Sequence, residues 1–342
     1  MPRVSIIVPC RNEKRHLAAF ADSALAQRMP PGWTLEIVIA DGMSDDGTRE
    51  ALAELAARDP RVRFVDNPGR IVSAGLNRAL AAVAGEVVVR MDVHTEYAPD
   101  YVAECLVALH LTGADNVGGP WRAVADPEGG PTQAAVAAAF QSRWVAGGAL
   151  SRQLDYDGLA DTVYLGAWPR QVFERFGGFD ETLVRNQDDE HNLRIVKGGG
   201  KVWQESRIRS SYRPRATLGQ VFRQYLQYGY WKPFVMKKHG QPARLRQLVP
   251  ALFIVVLALF ALMAVVGWRF WPLATLLVAY ASAVGAMSVA VLREAPQPLK
   301  VALRVPAVIA AYHVAYGIGS IVGAFDVLRG RPGRERFARL SR

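Results

Sequence analysis

The chain has 342 residues, which is enough for one large domain and an additional module. Its 41 lysines and arginines outnumber 31 aspartates and glutamates, and the net charge of +10 favours an anionic partner such as a membrane surface or a phosphorylated ligand. No basic helix or aromatic RNA-stacking motif is found, so nucleic acid is excluded as the expected partner. The two cysteines, Cys10 and Cys105, form no CxxC pair, which argues against a disulfide framework or a thiolate zinc site and fits a reducing cytosol.

The first part of the chain alternates short apolar runs with amphipathic stretches. Strands are predicted over residues 4–9, 35–41, 62–66 and 86–92, and helices over residues 13–27, 46–58, 71–83 and 99–109. Because the strands are apolar throughout, the rhythm indicates a parallel sheet with helices on both faces. The first apolar run is too short for a signal peptide, which places this domain in the cytosol.

Three long uncharged segments follow residue 246, over residues 248–267, 272–292 and 305–325. Each is long enough to cross a hydrocarbon core of about 30 Å, although His313 and several glycines make the third less lipid-like. Buried helices of a soluble domain are the alternative, but three such runs are hard to bury. The sequence therefore predicts a multi-pass protein of the plasma (inner) membrane, with lipids as partners.

Basic residues precede the first apolar segment and follow the last: Lys232, Lys237, Lys238, Arg244 and Arg246, and then six arginines from Arg329 to Arg342. Two spans with a re-entrant or interfacial third segment would keep both clusters in the cytosol, as the positive-inside rule favours; three full spans are the alternative. The predicted regions are a cytosolic domain (1–232), a basic juxtamembrane segment (233–247), a transmembrane region (248–326) and a basic tail (327–342).

Polar residues follow the predicted strands, at the edge where parallel α/β sheets bind ligands. No GxGxxG loop follows the first strand, which argues against a dinucleotide site. Asp92 closes an apolar strand, where a carboxylate is costly unless it is paired or holds a metal. In an extended segment Asp92 and His94 would lie on one side and could face one divalent cation. The alternative is an aspartate that caps the next helix and a surface histidine.

Four runs, in order and with Asp92 between them, closely resemble family 2 glycosyltransferases of the GT-A fold: VSIIVPCRNE, IVIADGMSDDGT, TVYLGAWPRQVFERFGGFDE and NQDDEHNLRI. The resemblance covers residues 4–232 and is greatest to bacterial exopolysaccharide enzymes of the succinoglycan glucosyltransferase type. It implies a Rossmann-like, mostly parallel α/β sheet and an inverting, metal-assisted hexosyltransferase.

The resemblance assigns roles at the predicted donor site. The nucleoside pocket would be lined by Pro9, Arg11, Asn12 and Glu13, and Asp41 would hydrogen-bond the base, usually uracil. Asp92 corresponds to the metal-binding acid of the family's DxD element, with His94 in place of the second acid and Mg²⁺ or Mn²⁺ as the cofactor. Arg70 is a candidate diphosphate contact, or else a solvated arginine in the first turn of a helix.

The resemblance also assigns roles on the acceptor side. Asp188 aligns with the family's general base, and Asp189 is its near competitor; Gln187 replaces the first acid of the family's pair. The alternative is an acidic cluster favoured by the helix dipole. Trp168 would stack on a sugar face. Trp231 and Lys232 occupy the place of the QxxRW element of processive relatives and would close over the donor diphosphate or the acceptor. An amphipathic interfacial helix is the alternative.

Together these features predict transfer of a hexose, with UDP-glucose as the expected nucleotide-sugar donor, to a lipid-linked (polyprenyl) saccharide in exopolysaccharide or cell-surface glycan synthesis. A polyprenyl-phosphate sugar synthase is a second enzymatic interpretation, since a phosphate acceptor needs no general base. A membrane scaffold with a degenerate transferase domain is a third, suggested by Gln187 and His94.

Overall fold

The computed structural model describes residues 1–145, 147–241, 244–267 and 269–337, so Arg339 and Arg342 of the predicted basic tail lie outside the described residues. The chain divides into two compact units. The sheet unit comprises Met1–Arg122 and Leu150–Tyr212, and the helical unit comprises Ala123–Ala149 and Arg213–Arg342.

The strands are β1 (Arg3–Cys10), β2 (Thr34–Asp41), β3 (Val62–Asp66), β4 (Val87–Arg90), β5 (Thr95–Tyr97), β6 (Asn116–Gly119), β7 (Gly158–Leu159), β8 (Tyr164–Pro169), β9 (Val202–Gln204) and β10 (Ser210–Tyr212). The helices are α1 (Lys14–Leu25), α2 (Thr48–Arg58), α3 (Val72–Ala82), α4 (Tyr101–Thr112), α5 (Pro131–Gln141), α6 (Gln171–Phe176), α7 (Gln187–Lys197), α8 (Leu218–His239), α9 (Val249–Val265), α10 (Trp271–Glu294), α11 (Pro298–Val301) and α12 (Val305–Leu328).

The larger sheet of the sheet unit has the strand order β3-β2-β1-β4-β8-β6-β9-β7. The first four of these strands are parallel, as predicted. Strand β8 then runs antiparallel to both of its neighbours, β4 and β6, while β9 pairs in parallel with β6. The fold is therefore the expected α/β type, with a parallel half that carries the strand ends of interest and a mixed half beyond β4.

Both faces of the sheet are covered, which explains why the strands are apolar throughout. In β1, Ile6 packs on one face with Leu17 of α1, and Ile7 packs on the other face with Leu76 of α3. All four side chains are at most 3% exposed. Successive residues of a strand point to opposite faces, so an uninterrupted apolar run is the pattern of a strand buried on both sides.

The helical unit contains the predicted membrane segments. Three of its described helices are long and apolar enough to cross a membrane, Leu245–Val265 with its initial 3-10 turn, Trp271–Glu294 and Val305–Leu328. They differ in burial, since α9 has no buried residue whereas α12 is buried along one side. The predicted domain boundary at residue 232 falls inside α8, which continues to His239. The predicted domain ranges stay a prediction.

Candidate active site

The loops that follow β2 and β3 are joined by Arg49. Its Nη1 donates to Asp41 Oδ2 at 3.0 Å and its Nη2 donates to Asp66 Oδ1 at 2.6 Å. These bonds raise the pKa of the Arg49 guanidinium, with Asp66 contributing most. Asp41 is 0% exposed and also accepts from the Ser44 hydroxyl at 2.5 Å. Asp41 therefore holds this loop together in the structure, and its predicted hydrogen bond to the base stays a prediction.

The segment after β1 is bound to the same loop. Asn12 has a left-handed backbone (φ 55), its backbone N donates to Ser44 Oγ at 2.9 Å and its Nδ2 donates to Asp45 Oδ1 at 2.8 Å. The next residue, Glu13, donates from its backbone N to Thr48 Oγ1 at 2.9 Å. Asn12 and Glu13, two of the residues predicted to line the nucleoside pocket, are thus held at one edge of the sheet.

Two arginines lie side by side at this edge. Arg11 Nη1 donates to the backbone O of Arg70 at 3.5 Å, and Arg70 itself has a left-handed backbone (φ 56). The contact brings the end of β1 to the loop between β3 and α3. The Arg11 guanidinium therefore lies beside the Arg70 backbone, and a guanidinium group is suited to binding an anion such as a diphosphate. The structure therefore brings Arg11, Asn12, Glu13 and Arg70 to one rim beside Asp41, while Pro9 ends β1 just before them.

Arg90, which was not predicted from the sequence, contacts both Asp92, the predicted metal ligand, and Asp188, the predicted general base. Its guanidinium is 4% exposed and donates two hydrogen bonds to Asp92, from Nε to Oδ1 at 3.1 Å and from Nη2 to Oδ2 at 3.2 Å. Its Nη1 contacts Asp188 Oδ1 from a position 98 residues away in sequence. The sequence did contain a signal for this contact, because Arg90 interrupts an apolar strand. A buried arginine in such a strand requires a carboxylate partner.

The environment of Asp188 suits proton transfer. Burial raises the pKa of Asp188 to about 6, the charge of Arg90 opposes that rise, and the charges of Asp92 and Asp189 add to it. The side chain remains 32% exposed, so an acceptor can reach it. A carboxylate that titrates near the working pH is an efficient general base.

The start of α7, which carries Asp188, is anchored by a buried ion pair. Glu190 is 0% exposed and pairs with Arg194 at 2.6 Å. Arg194 also donates to the backbone O of Phe176 at 2.5 Å and of Gly178 at 2.9 Å. Gly177 takes a left-handed backbone (φ 74) at the end of α6. This clamp fixes the turn at Gly177 and Gly178 against α7 and so sets the place of Asp188.

The segment after Asp92 turns, and the extended geometry expected for Asp92 and His94 is wrong. The backbone N of Thr95 donates to Asp92 O at 3.2 Å, and Tyr97 Oη also donates to that oxygen at 3.2 Å. Val93 is buried and His94 is exposed. Within the described ranges no group of three or more histidine, cysteine, aspartate and glutamate side chains is arranged to hold a metal ion.

Trp168 lies in the core instead of on the rim. It is 1% exposed and its indole packs against Phe173, Phe179 and His191, with ring centroids 5.5 to 5.9 Å apart. The position pairs with Val88 in the centre of the sheet, where alternate side chains must fill the space under a helix. This burial contradicts the predicted stacking of Trp168 on a sugar.

Trp231 and Lys232 are also buried. Trp231 is 1% exposed and packs against Tyr230 and Phe234 within α8, and Lys232 is 6% exposed. An indole whose faces are covered by neighbouring rings is not free to close over a donor. The structure therefore gives Trp231 a packing role, and the predicted contact of Lys232 with the donor stays a prediction.

The chain is similar in sequence to known proteins of one family. Residues 5–166 match the glycosyl transferase family 2 profile. The chain is 36% identical over 269 residues to the succinoglycan biosynthesis protein ExoA of Rhizobium meliloti (strain 1021), covering 77% of this chain and 78% of that protein. The chain belongs to glycosyltransferase family 2. A second relative of this glycosyltransferase, 23% identical over 69% of the chain and 74% of the relative, is a dolichyl N-acetyl-α-D-glucosaminyl phosphate 3-β-D-2,3-diacetamido-2,3-dideoxy-β-D-glucuronosyltransferase of Methanococcus voltae.

Solved structures confirm the GT-A-like fold of this glycosyltransferase. The mannosyltransferase PcManGT from Pyrobaculum calidifontis, in complex with GDP-Man and Mn²⁺, matches with a TM-score of 0.60 and 21% identity over 95% of this chain and 87% of that one. S. aureus TarS 1-349, in complex with UDP-GlcNAc, matches with a TM-score of 0.52 and 12% identity over 96% and 92%. At these identities the likeness concerns the fold.

Proposed function

We propose that this family 2 glycosyltransferase transfers a hexose, with inversion, from a nucleotide-diphosphate sugar to a lipid-linked saccharide, with Asp188 as the general base. The observation that carries the proposal is the contact of Arg90 with both Asp92 and Asp188. It joins a carboxylate at the end of a parallel strand to a carboxylate with a raised pKa at the start of a helix. A donor-side acid and an acceptor-side base at one place are what a single displacement needs.

The donor would lie along the rim formed after β1, β2 and β3. Pro9, Arg11, Asn12 and Glu13 would contact the nucleoside, and Asp41 would act by holding the loop with Ser44 in place. Arg11 and Arg70 would attract the diphosphate. That PcManGT was solved with GDP-Man and TarS with UDP-GlcNAc supports a nucleotide-sugar donor of this kind, with UDP-glucose as our expectation.

A divalent cation, Mg²⁺ or Mn²⁺, fits the chemistry of Asp92, because its carboxylate oxygens are hard donors and 16% of its side chain is exposed. His94 would supply a second ligand from the exposed turn. When bound, such an ion neutralises charge on the leaving diphosphate. Arg90 forks onto both oxygens of Asp92 and so orients that carboxylate and balances its charge.

The proposed chemical step uses Asp188. The hydroxyl oxygen of the acceptor forms a bond to the anomeric carbon of the hexose while the bond from that carbon to the diphosphate oxygen breaks. The hydroxyl proton passes to Asp188, and the nucleoside diphosphate leaves with the electron pair of the broken bond. Arg90 holds the Asp188 carboxylate in place, and the Glu190–Arg194 clamp fixes the helix start that carries it.

The names of two relatives and the apolar helices support the proposed acceptor and location. A relative named as a succinoglycan biosynthesis protein supports a role in exopolysaccharide synthesis, and one named as a dolichyl-phosphate sugar glucuronosyltransferase supports a lipid-linked saccharide acceptor. Helices long enough to cross a membrane would keep the enzyme beside such an acceptor. We propose a multi-pass protein of the inner membrane with its transferase domain in the cytosol.

The test is release of nucleoside diphosphate by the purified full chain in detergent, with UDP-glucose, other nucleotide sugars and a polyprenyl-linked saccharide. Asp188→Asn should lower kcat by about 10²- to 10⁴-fold in protein that still folds, since Arg90 keeps its two hydrogen bonds to Asp92. Asp189→Asn is the matched control on the same helix turn, and we expect it to retain most activity. Full activity of Asp188→Asn would contradict the assigned base and would favour a lipid-phosphate acceptor, which needs none.

A further inference from the structure

The end of α12 and the segment after it lie against the middle of α8. Tyr230 Oη of α8 donates to Asp326 Oδ2 at 2.9 Å, and Arg336 Nε donates to the same oxygen at 2.9 Å. The Tyr230 ring also meets Phe337 edge to face, with centroids 4.8 Å apart. Tyr230 is 0% and Asp326 is 2% exposed, so their hydrogen bond is buried, whereas 45% of the Arg336 side chain is exposed. It ties a helix that precedes the apolar segments to the residues that follow them.

Helices α8 and α12 pack closely over much of their length. Tyr225 stacks on Tyr312 with centroids 4.1 Å apart, and Ser320 donates to the backbone O of Gly229 at 3.3 Å. A Cβ at Gly323 would overlap the carbonyl oxygen of Tyr230. The contacts follow the same order in both helices, so α8 and α12 run in the same direction. Close packing through glycine holds this pair in one arrangement.

This pairing decides on which side of a membrane α12 ends. Helix α8 is not among the described helices apolar enough to cross, and it carries Arg223, Lys232, Lys237 and Lys238. Tyr230 therefore stays on the side where α9 begins. Helices α9 and α10 cross and return to that side. If α12 crossed next, Asp326 would be carried about 30 Å away from it. Asp326 is instead hydrogen-bonded to Tyr230.

The contact between α12 and α9 gives an independent argument. The backbone at Gly317, in the middle of α12, lies against Pro250 and Ile254 in the first turns of α9. Leu245–Val265 is 21 residues, only just long enough to cross, so its first turns lie at a membrane boundary. From Gly317 to Leu328 a helix extends about 17 Å, roughly half of the hydrocarbon thickness. Neither half of α12 is therefore long enough to cross the bilayer.

We propose that, among the described helices, α9 and α10 alone cross the bilayer, and that α12 is an interfacial helix held on α8. The exposed arginines Arg329, Arg331 and Arg334 then lie on the same side as Arg244, where anionic lipid headgroups are their partners. The charge pattern agrees, because both basic clusters fall on one side as the positive-inside rule favours.

Labelling of single introduced cysteines tests the proposal in the full chain. The natural cysteines are buried, Cys10 at 4% and Cys105 at 0% exposure, so the unsubstituted chain serves as the blank. The variants are Gln241→Cys, Arg269→Cys, Gln297→Cys and Arg331→Cys, all at exposed positions. Each is treated with a membrane-impermeant maleimide in spheroplasts and in inverted membrane vesicles.

We expect the variants at 241, 297 and 331 to label in one preparation and the variant at 269 to label in the other. Labelling at 331 together with 269 would show that α12 crosses and would overturn the proposal. The variants at 241 and 297 are the controls, since both arrangements place them together. Arg334→Cys repeats the measurement three residues further on. The readout needs no enzymatic activity, so it is independent of the proposed function.

Discussion

Replacing Arg90 by methionine removes a guanidinium that contacts both Asp92 and Asp188, while keeping an unbranched side chain of similar length. Breaking a buried ion pair by removing one partner costs about 3–5 kcal/mol. Because Asp92 and Asp188 are partly exposed, at 16% and 32%, we expect the lower end, about 3 kcal/mol. For a domain of about 150–250 residues this corresponds to a fall in melting temperature of roughly 6–12 °C.

The pH dependence of this loss follows from the sign of the pKa shift. Arg90 lowers the pKa of Asp188, so its removal raises that pKa further above its ordinary value. The folded variant then binds more protons than the unfolded chain, and its stability falls as pH rises. The difference between wild type and Arg90→Met should therefore be larger at pH 8 than at pH 5.

The assay is thermal unfolding of the purified protein in detergent at both pH values. Arg209→Met is the matched control, because Arg209 is 59% exposed and pairs with Asp100, itself 34% exposed, and such a surface pair contributes about 1 kcal/mol or less. Arg90→Lys should fall between wild type and Arg90→Met, since it restores the charge without the fork. Equal melting temperatures for wild type and Arg90→Met at pH 8 would refute the reasoning.

Three further outcomes are expected. The kcat/KM of the wild type should rise with pH through an apparent pKa of about 6, because Asp188 must lose its proton to act as a base; a profile flat from pH 5 to 8 would contradict that role. Asp92→Asn should weaken Mn²⁺ binding in the presence of UDP by about tenfold or more, measured by electron paramagnetic resonance, and unchanged binding would remove Asp92 from the metal site. Trp168→Ala should destabilise the protein by about 3–5 kcal/mol in thermal unfolding, because it empties a buried site; unchanged stability with a raised KM for the acceptor would restore the sugar-contact hypothesis.

Much of the sheet unit could be predicted because its signals are local. Apolar runs such as that of β1 and β2 appear wherever a strand is buried on both faces, and the helices between them have their own periodicity. The polar residues after each strand were predicted to meet because parallel strands share one carboxyl edge. The contacts of Asn12 with Ser44 and of Arg11 with Arg70 confirm that meeting.

Other features could not be predicted because they depend on contacts between distant segments. The antiparallel β8 inserts between β4 and β6, and this placement buries Trp168, for which the family resemblance implied a sugar contact. The turn after Asp92 is held by Tyr97, which a strand pattern does not reveal. In each case the packing of neighbouring elements determined the position of the side chain, and the local sequence pattern did not.

By itself, the sequence determined the order of strands and helices, the family and the length of the apolar segments, since each of these depends on runs of consecutive residues. Only the tertiary structure decided that Arg90 contacts Asp188, 98 residues away in sequence, and that Tyr230 pairs with Asp326 across 96 residues. The same physical reason applies to both. A buried charge or a close helix contact is stabilised by the group that tertiary packing places next to it. The spacing of residues along the sequence does not indicate which group that is.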